Sequence, residues 1–250
     1  MILFNSKSIS AAPEQTDNSK SAPIGPHFSP WMLSAIYPLG SRVVLPFYFG
    51  RIEISGQEHL PTEGPVILAP THRSRWDALL VPYATGRCVT GRDLRFMVTA
   101  DEVKGIQGWF IRRLGGFAVN PRKPSIASLR QGVEILQNGE MLVIFPEGGI
   151  FRDDQVHTLK PGLARLAIQA EASQPGLGIK IVPMTLQYSE PCPRWGCDVS
   201  IQIGAPLNVS KYAKGAAKQD AKRLTADLDG ALRRLNAEER LEERCTASLV

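Results

Sequence analysis

The spacing of apolar positions divides the chain into a patternless leader, a short apolar stretch and a long region in which strand and helix periods alternate. Residues 1–27 are rich in Ser, Pro, Ala and Asn and follow neither period, which predicts a disordered leader. Residues 28–50 are apolar and aromatic but broken by Pro30, Pro38, Arg42 and Pro46, so one long helix is excluded. Trp31, Tyr37 and Tyr48 are residue types that favour a membrane–water boundary. Two readings of this segment stay open. It forms short helices lying on a bilayer, or it forms a hairpin buried against the following domain.

From Arg51 onward the pattern changes. Short apolar runs suited to buried strands occur at Arg51–Ser55, Pro65–Ala69, Leu94–Thr99, Phe117–Asn120, Met141–Phe145, Ile179–Gln187 and Asp198–Ile203. Between them, helical spacing predicts helices at Arg75–Thr85, Gln107–Leu114, Ile126–Asn138, Pro161–Ala172 and Ala217–Arg244. In the last, Leu224, Leu228, Leu232 and Leu235 share one face. The alternation predicts a single α/β domain over residues 51–210, with a mixed, largely parallel sheet of about seven strands flanked by helices. A short membrane-facing helical segment precedes it, and residues 211–250 form an amphipathic helix and tail.

Composition adds three constraints. A net charge of +5 points to anionic partners such as phosphates or acidic headgroups. The basic residues form no helix-long stripe and are not interleaved with aromatics, which argues against nucleic acid as the partner. The four cysteines, Cys88, Cys192, Cys197 and Cys245, lack the spacing of a zinc site and fit reduced thiols in a reducing compartment. No stretch reaches the ~18 apolar residues of a spanning helix, and Met1–Phe4 is too short for a secretory signal.

Candidate chemistry begins at Pro65–Leu80, where a buried strand gives way to His72-Arg73-Ser74-Arg75-Trp76-Asp77 and then a helix. On a continuous helix His72 and Asp77 would point about 140° apart. With His72 in the turn and Asp77 in the first helical turn, they can meet. An Asp bonded to one imidazole nitrogen fixes the tautomer and leaves the other nitrogen as a general base. A plainer reading is open as well: Ser74 and Asp77 make a capping box that starts the helix. Two more turns follow strand ends. Phe117–Asn120 delivers Arg122 and Lys123, and Met141–Phe145 delivers Pro146-Glu147-Gly148-Gly149, followed by Arg152 and Lys160. The carboxyl edge of an open α/β sheet is where ligands bind.

Taken in order, H-R-S-R-W-D, G-G-F-A-V-N-P-R, F-P-E-G and Ile181-Val182-Pro183-Met184 resemble the four blocks of the glycerolipid acyltransferases, closest to the lysophosphatidate acyltransferase family. The likeness covers about residues 50–210. It implies that His72 is the base and Asp77 its partner. It further implies that Arg122, Glu147 and Gly148 bind the phosphoglycerol end of the acceptor and that Pro183 lies near the acyl-donor side. Gly149-Ile150 replaces the family's frequent Thr-Arg, with Arg152 in a position to substitute, and Thr71 stands where Asn is frequent.

The implied reaction moves an acyl group from acyl carrier protein or acyl-coenzyme A to a lysophospholipid hydroxyl, without metal, cofactor or acyl-enzyme. The implied location is peripheral, on the cytoplasmic face of a membrane. Other acceptors remain open, among them glycerol 3-phosphate, another lysophospholipid or a lyso-aminolipid. So does a non-catalytic lipid-binding protein on the same fold, which would not need His72 together with Asp77.

Overall fold

The computed structural model describes residues 39–99, 115–119 and 126–247. The expected helix 107–114, the leader, residues 28–38 of the apolar segment, Arg122 and Lys123 lie outside the described residues. Eight strands are described: β1 (Ile52–Ser55), β2 (Val66–Pro70), β3 (Leu94–Thr99), β4 (Gly116–Val119), β5 (Met141–Val143), β6 (Lys180–Tyr188), β7 (Val199–Ile203) and β8 (Leu207–Asn208). The helices are α1 (Leu45–Tyr48), α2 (Asp77–Thr85), α3 (Arg87–Thr90), α4 (Ile126–Gln137), α5 (Gly162–Ser173) and α6 (Ala217–Ala247).

The sheet order is β1-β7-β6-β2-β5-β3-β4, with β8 on β6. The strands β6, β2, β5, β3 and β4 run parallel, while β7 is antiparallel to β6 and parallel to β1. The sheet is therefore mixed and largely parallel. The eighth strand, β8, is only two residues long and left no periodic signal. It takes up the β7 side of β6 after a break at Gly204–Pro206, pairing Leu207 with Ile181.

Side chains of β2 alternate between two apolar layers. Ile67 and Ala69 pack with Leu136 of α4, Leu166 of α5 and Leu228 of α6. Val66 and Leu68 pack with Leu80 and Val81 of α2, and with Leu45 and Phe49. All five residues of β2 are buried, as a central parallel strand requires. Leu224, Leu228 and Leu232 of α6 are buried, confirming the leucine face.

The helical run before β1 answers the proline argument in part. A π-turn over Gly40–Val44 carries the Leu45 N–H to the Gly40 carbonyl and leads into α1, which holds Pro46 in its first turn. Pro is tolerated there because its missing N–H is not needed. Leu45 and Phe49 are buried in the core, while Leu39, Val43 and Phe47, spaced four apart, face outward. The segment is thus partly packed on the domain and partly open.

At its carboxyl end β2 is prolonged by Thr71. Its N–H donates to the Met184 carbonyl at 3.0 Å, and its Oγ1 accepts from the Leu186 N–H at 3.0 Å. Thr71 is fully buried, so the hydroxyl is the available acceptor for that amide. Thr71→Val keeps the shape but leaves the Leu186 N–H unpaired. It is expected to lower unfolding free energy by about 1–3 kcal/mol in a urea titration.

Candidate active site

The carboxyl ends of β2, β5 and β6 lie side by side, and the turns that leave them build the site. The first turn explains where α2 begins. Ser74 takes up the chain's reversal: its carbonyl accepts from the Asp77 N–H at 3.2 Å and its Oγ from the Trp76 N–H at 3.3 Å. The helix therefore starts at Asp77, two residues later than the pattern indicates.

The Asp77 carboxylate is buried and turned back into this turn. Its Oδ2 accepts from the Arg73 N–H at 2.7 Å and the Ser74 N–H at 2.9 Å. The same oxygen lies 2.8 Å from His72 Nδ1. One oxygen therefore both closes the turn before the helix and holds the His72 ring. A carboxylate is acceptor-only, so Nδ1 carries the proton and Nε2 the lone pair. The His72 ring stacks on Phe145 at 3.9 Å between centroids, with 21° between planes. Ring plane and tautomer are both set, and Nε2 has no partner among the described residues.

The second turn is the Phe-Pro-Glu-Gly of β5. Gly148 has φ +69°, a conformation that favours glycine. A Cβ there would also stand 2.7 Å from the Lys160 side chain, whose Nζ donates to the Gly148 carbonyl at 3.2 Å. Glu147 does not face outward, as contact with an acceptor would require. It is buried and saturated: Oε2 accepts from the His72 N–H at 2.9 Å and from Arg73 Nη1 at 2.9 Å. Oε1 accepts from the His157 N–H at 2.9 Å and from Arg73 Nη1 at 3.2 Å. Arg73 Nη2 also donates to the Gln155 carbonyl at 2.9 Å. A buried ion pair is tolerable only when such extra bonds offset its desolvation.

The loop after Gly148 is strapped over this pair. The Phe151 N–H donates to the His72 carbonyl at 2.8 Å. The Phe151 ring stacks on His157 at 3.9 Å, and His157 Nε2 sits 2.8 Å and 2.9 Å from the two Asp153 carboxyl oxygens. The hydrogen bond from His157, with a second from the Gln155 N–H, holds the Asp153 carboxyl below the ordinary aspartate range.

Of the remaining sequence candidates, Arg152 and Lys160 are exposed beside this loop. Pro183 lies buried in β6 at the level of Ala69, three residues short of His72. Its carbonyl accepts from the Gly204 N–H at 2.9 Å, so its nitrogen points to the break between β7 and β8, where a missing donor costs nothing. Among the described residues no group of three or more His, Cys, Asp or Glu could hold a metal ion. Arg73, Phe145 and Tyr188 also belong to the site and were not distinguished by sequence. Tyr188 donates its hydroxyl to Asp77 Oδ1 at 2.5 Å.

Comparison with known proteins converges on this region. The Acyltransferase family model matches residues 51–187, which include both turns and most of β6. The chain is 26% identical over 160 residues to a Streptococcus pneumoniae protein named 1-acyl-sn-glycerol-3-phosphate acyltransferase, covering 61% of this chain and 53% of that one. A Bacillus subtilis protein of the same name is 23% identical over 194 residues, covering 74% and 88%. The chain thus spans about half the length of the first relative and most of the second. The crystal structure of the 1-acyl-sn-glycerophosphate (LPA) acyltransferase PlsC from Thermotoga maritima shares the fold, with a TM-score of 0.62, 21% identity and coverage of 84% and 80%. With more than half of its residues matched by that family model, and the matched region holding the whole His72 turn and the whole Glu147 turn, the chain belongs to the Acyltransferase family.

Proposed function

We propose that this protein transfers a fatty acyl group from an acyl thioester to the free hydroxyl of a lysophosphatidate-type acceptor. The observation that carries the reading is the His72 Nδ1–Asp77 Oδ2 contact of 2.8 Å at the carboxyl edge of the sheet, with Nε2 unpaired among the described residues. Nε2 removes the proton of the acceptor hydroxyl as its oxygen bonds to the thioester carbonyl carbon. The tetrahedral adduct then collapses: the C–S bond breaks, the ester forms, and the thiol leaves with the proton that His72 returns. Asp77 holds the tautomer and steadies the transient imidazolium. Positioning the two substrates supplies much of the remaining acceleration.

Arg122 and the exposed Arg152 and Lys160 are assigned to the acceptor phosphate, which a guanidinium recognises through a planar fork. Glu147 is assigned a positioning role through the His72 amide and Arg73. The test is purified protein with labelled acyl-coenzyme A or acyl carrier protein against lysophosphatidate, glycerol 3-phosphate and lysophosphatidylcholine. Ester formation with lysophosphatidate is the expected result. Product with another acceptor alone replaces the acceptor, and no product with any donor removes the reaction.

Asp77→Asn retains an oxygen for the Arg73 and Ser74 amides but loses the charge that pairs with imidazolium. It is expected to lower kcat by about 10²–10⁴-fold while the protein still melts as a folded domain. Glu147→Gln separates the two roles considered for that residue. As an anchor of buried Arg73, it should cost about 3–5 kcal/mol of stability by denaturant unfolding. The KM for the acceptor in the folded fraction should be unchanged; a large rise in KM at wild-type stability would instead mark Glu147 as an acceptor contact.

The proposed location is peripheral on a membrane. Among the described residues no helix is long and apolar enough to cross one. Val43 and Phe47 are 54% and 67% exposed, and Phe47 packs edge-on against Trp195, itself 62% exposed. Replacing Val43 and Phe47 together by Ser is expected to lower co-sedimentation with phospholipid vesicles by about tenfold or more, since an aromatic side chain alone contributes about 1.5–3 kcal/mol on burial. The melting temperature should be retained, because both side chains are exposed.

A further inference from the structure

We propose that the Tyr188 hydroxyl is a positioning group for the His72–Asp77 pair, setting the basicity of the pair and not only the packing around it. The inference rests on the general-base reading of His72. Tyr188 ends β6, 111 residues away from Asp77 in sequence, and its hydroxyl donates to Asp77 Oδ1 at 2.5 Å. The other oxygen, Oδ2, is occupied by the Arg73 and Ser74 amides and by His72. Tyr188 is therefore the donor that satisfies Oδ1 inside a fully buried carboxylate.

The geometry has a consequence for charge. A phenol bonded to one carboxylate oxygen draws electron density from both, so Oδ2 binds the imidazolium less tightly. Burial pushes the Tyr188 phenol well above its ordinary pKa, and the Asp77 charge beside it acts in the same direction. The hydroxyl consequently stays protonated and remains a donor. Other ionisable groups near the pair are Arg73 and Glu147, which are bound to each other, and Cys197, beside Tyr188.

Tyr188→Phe removes one oxygen and keeps the ring, which lies 6.1 Å from that of Phe49. Oδ1 then has no donor, the carboxylate becomes a stronger base, and His72 holds its proton to higher pH. Because the two groups titrate as a couple, the shift belongs to the pair. The acid limb of kcat/KM should move up by about one pH unit, and KM for both substrates should stay unchanged. A purely structural hydroxyl would lower stability without moving the pH profile.

The experiment compares wild type, Tyr188→Phe and Tyr212→Phe. In the last, a phenol bonded to the Asp227 carboxylate at 2.7 Å is lost far from the site. Each is examined by imidazole ¹H–¹⁵N NMR titration, with the His72 signals assigned by His72→Ala, and by acyl transfer across pH. The inference requires an upward shift of the His72 titration in Tyr188→Phe and none in Tyr212→Phe. An unshifted His72 titration in a folded Tyr188→Phe overturns it, as does an unmoved acid limb of kcat/KM. The titration needs no substrate, so a failure of the acyl-transfer reading would show separately, as wild-type protein without product.

Discussion

The Asp77 carboxylate accepts four hydrogen bonds, three on Oδ2 from the turn that follows β2 and one on Oδ1 from the end of β6. An isolated ionised carboxylate cannot be buried at tolerable cost. These four donors are what allow it to sit at zero exposure, and each imposes a position on its owner. The Arg73 and Ser74 amides fix the turn, the His72 ring is held by Nδ1, and Tyr188 draws the end of β6 against the start of α2. The helix start, the strand end and the imidazole orientation are three results of satisfying one buried charge.

Glu147 repeats the device one strand away, with His72 common to both. Its carboxylate takes the His72 N–H while Asp77 takes the His72 ring, so the residue is gripped at main chain and side chain by different carboxylates. Arg73 neutralises Glu147 and ties it to the Gln155 carbonyl, and Asn236 of α6 donates to the Asp154 carbonyl at 2.8 Å. The same Asn236 accepts from Gln187, the neighbour of Tyr188, at 2.9 Å. The long helix thus braces both the loop over Glu147 and the strand end that reaches Asp77. In the proposed reaction a base misplaced by about 1 Å is costly, and these braces limit such motion.

What the sequence made legible follows the range of each interaction. His72 and Asp77 are five residues apart, so a strand ending before one and a helix starting at the other are sufficient to bring them together. The leucine face of α6 and the apolar run of β2 were legible because burial on a regular element repeats at the element's own period. Glu147 stood out by its place in a strand-end turn, but its inward direction did not: the Arg73 that turns it inward lies 74 residues away. Tyr188 carried no signal at all, since a tyrosine ending an apolar strand is ordinary strand chemistry, and its partner is set by the pairing of β6 with β2. The helix over 107–114 and the turn with Arg122 lie outside the described residues and add nothing to this comparison.

The aromatic residues around α1 connect the outward-facing surface to the buried charge. Phe47 stacks edge-on with Trp195 at the surface, and Tyr48 lies 4.2 Å from Trp76. Phe49 touches both Trp76 and Tyr188, at 5.4 Å and 6.1 Å between centroids. Trp76 directly precedes Asp77 in the chain, and Tyr188 is its hydrogen-bond donor, so Phe49 rests on both flanks of the carboxylate. Packing at native density transmits displacement instead of absorbing it. A bilayer held against Leu39, Val43 and Phe47, as proposed, would therefore bear on the elements that hold Asp77. This arrangement suits a reaction whose acceptor is anchored in lipid. On the reading proposed above, the segment that meets the bilayer belongs to the same packed cluster that flanks the His72–Asp77 pair.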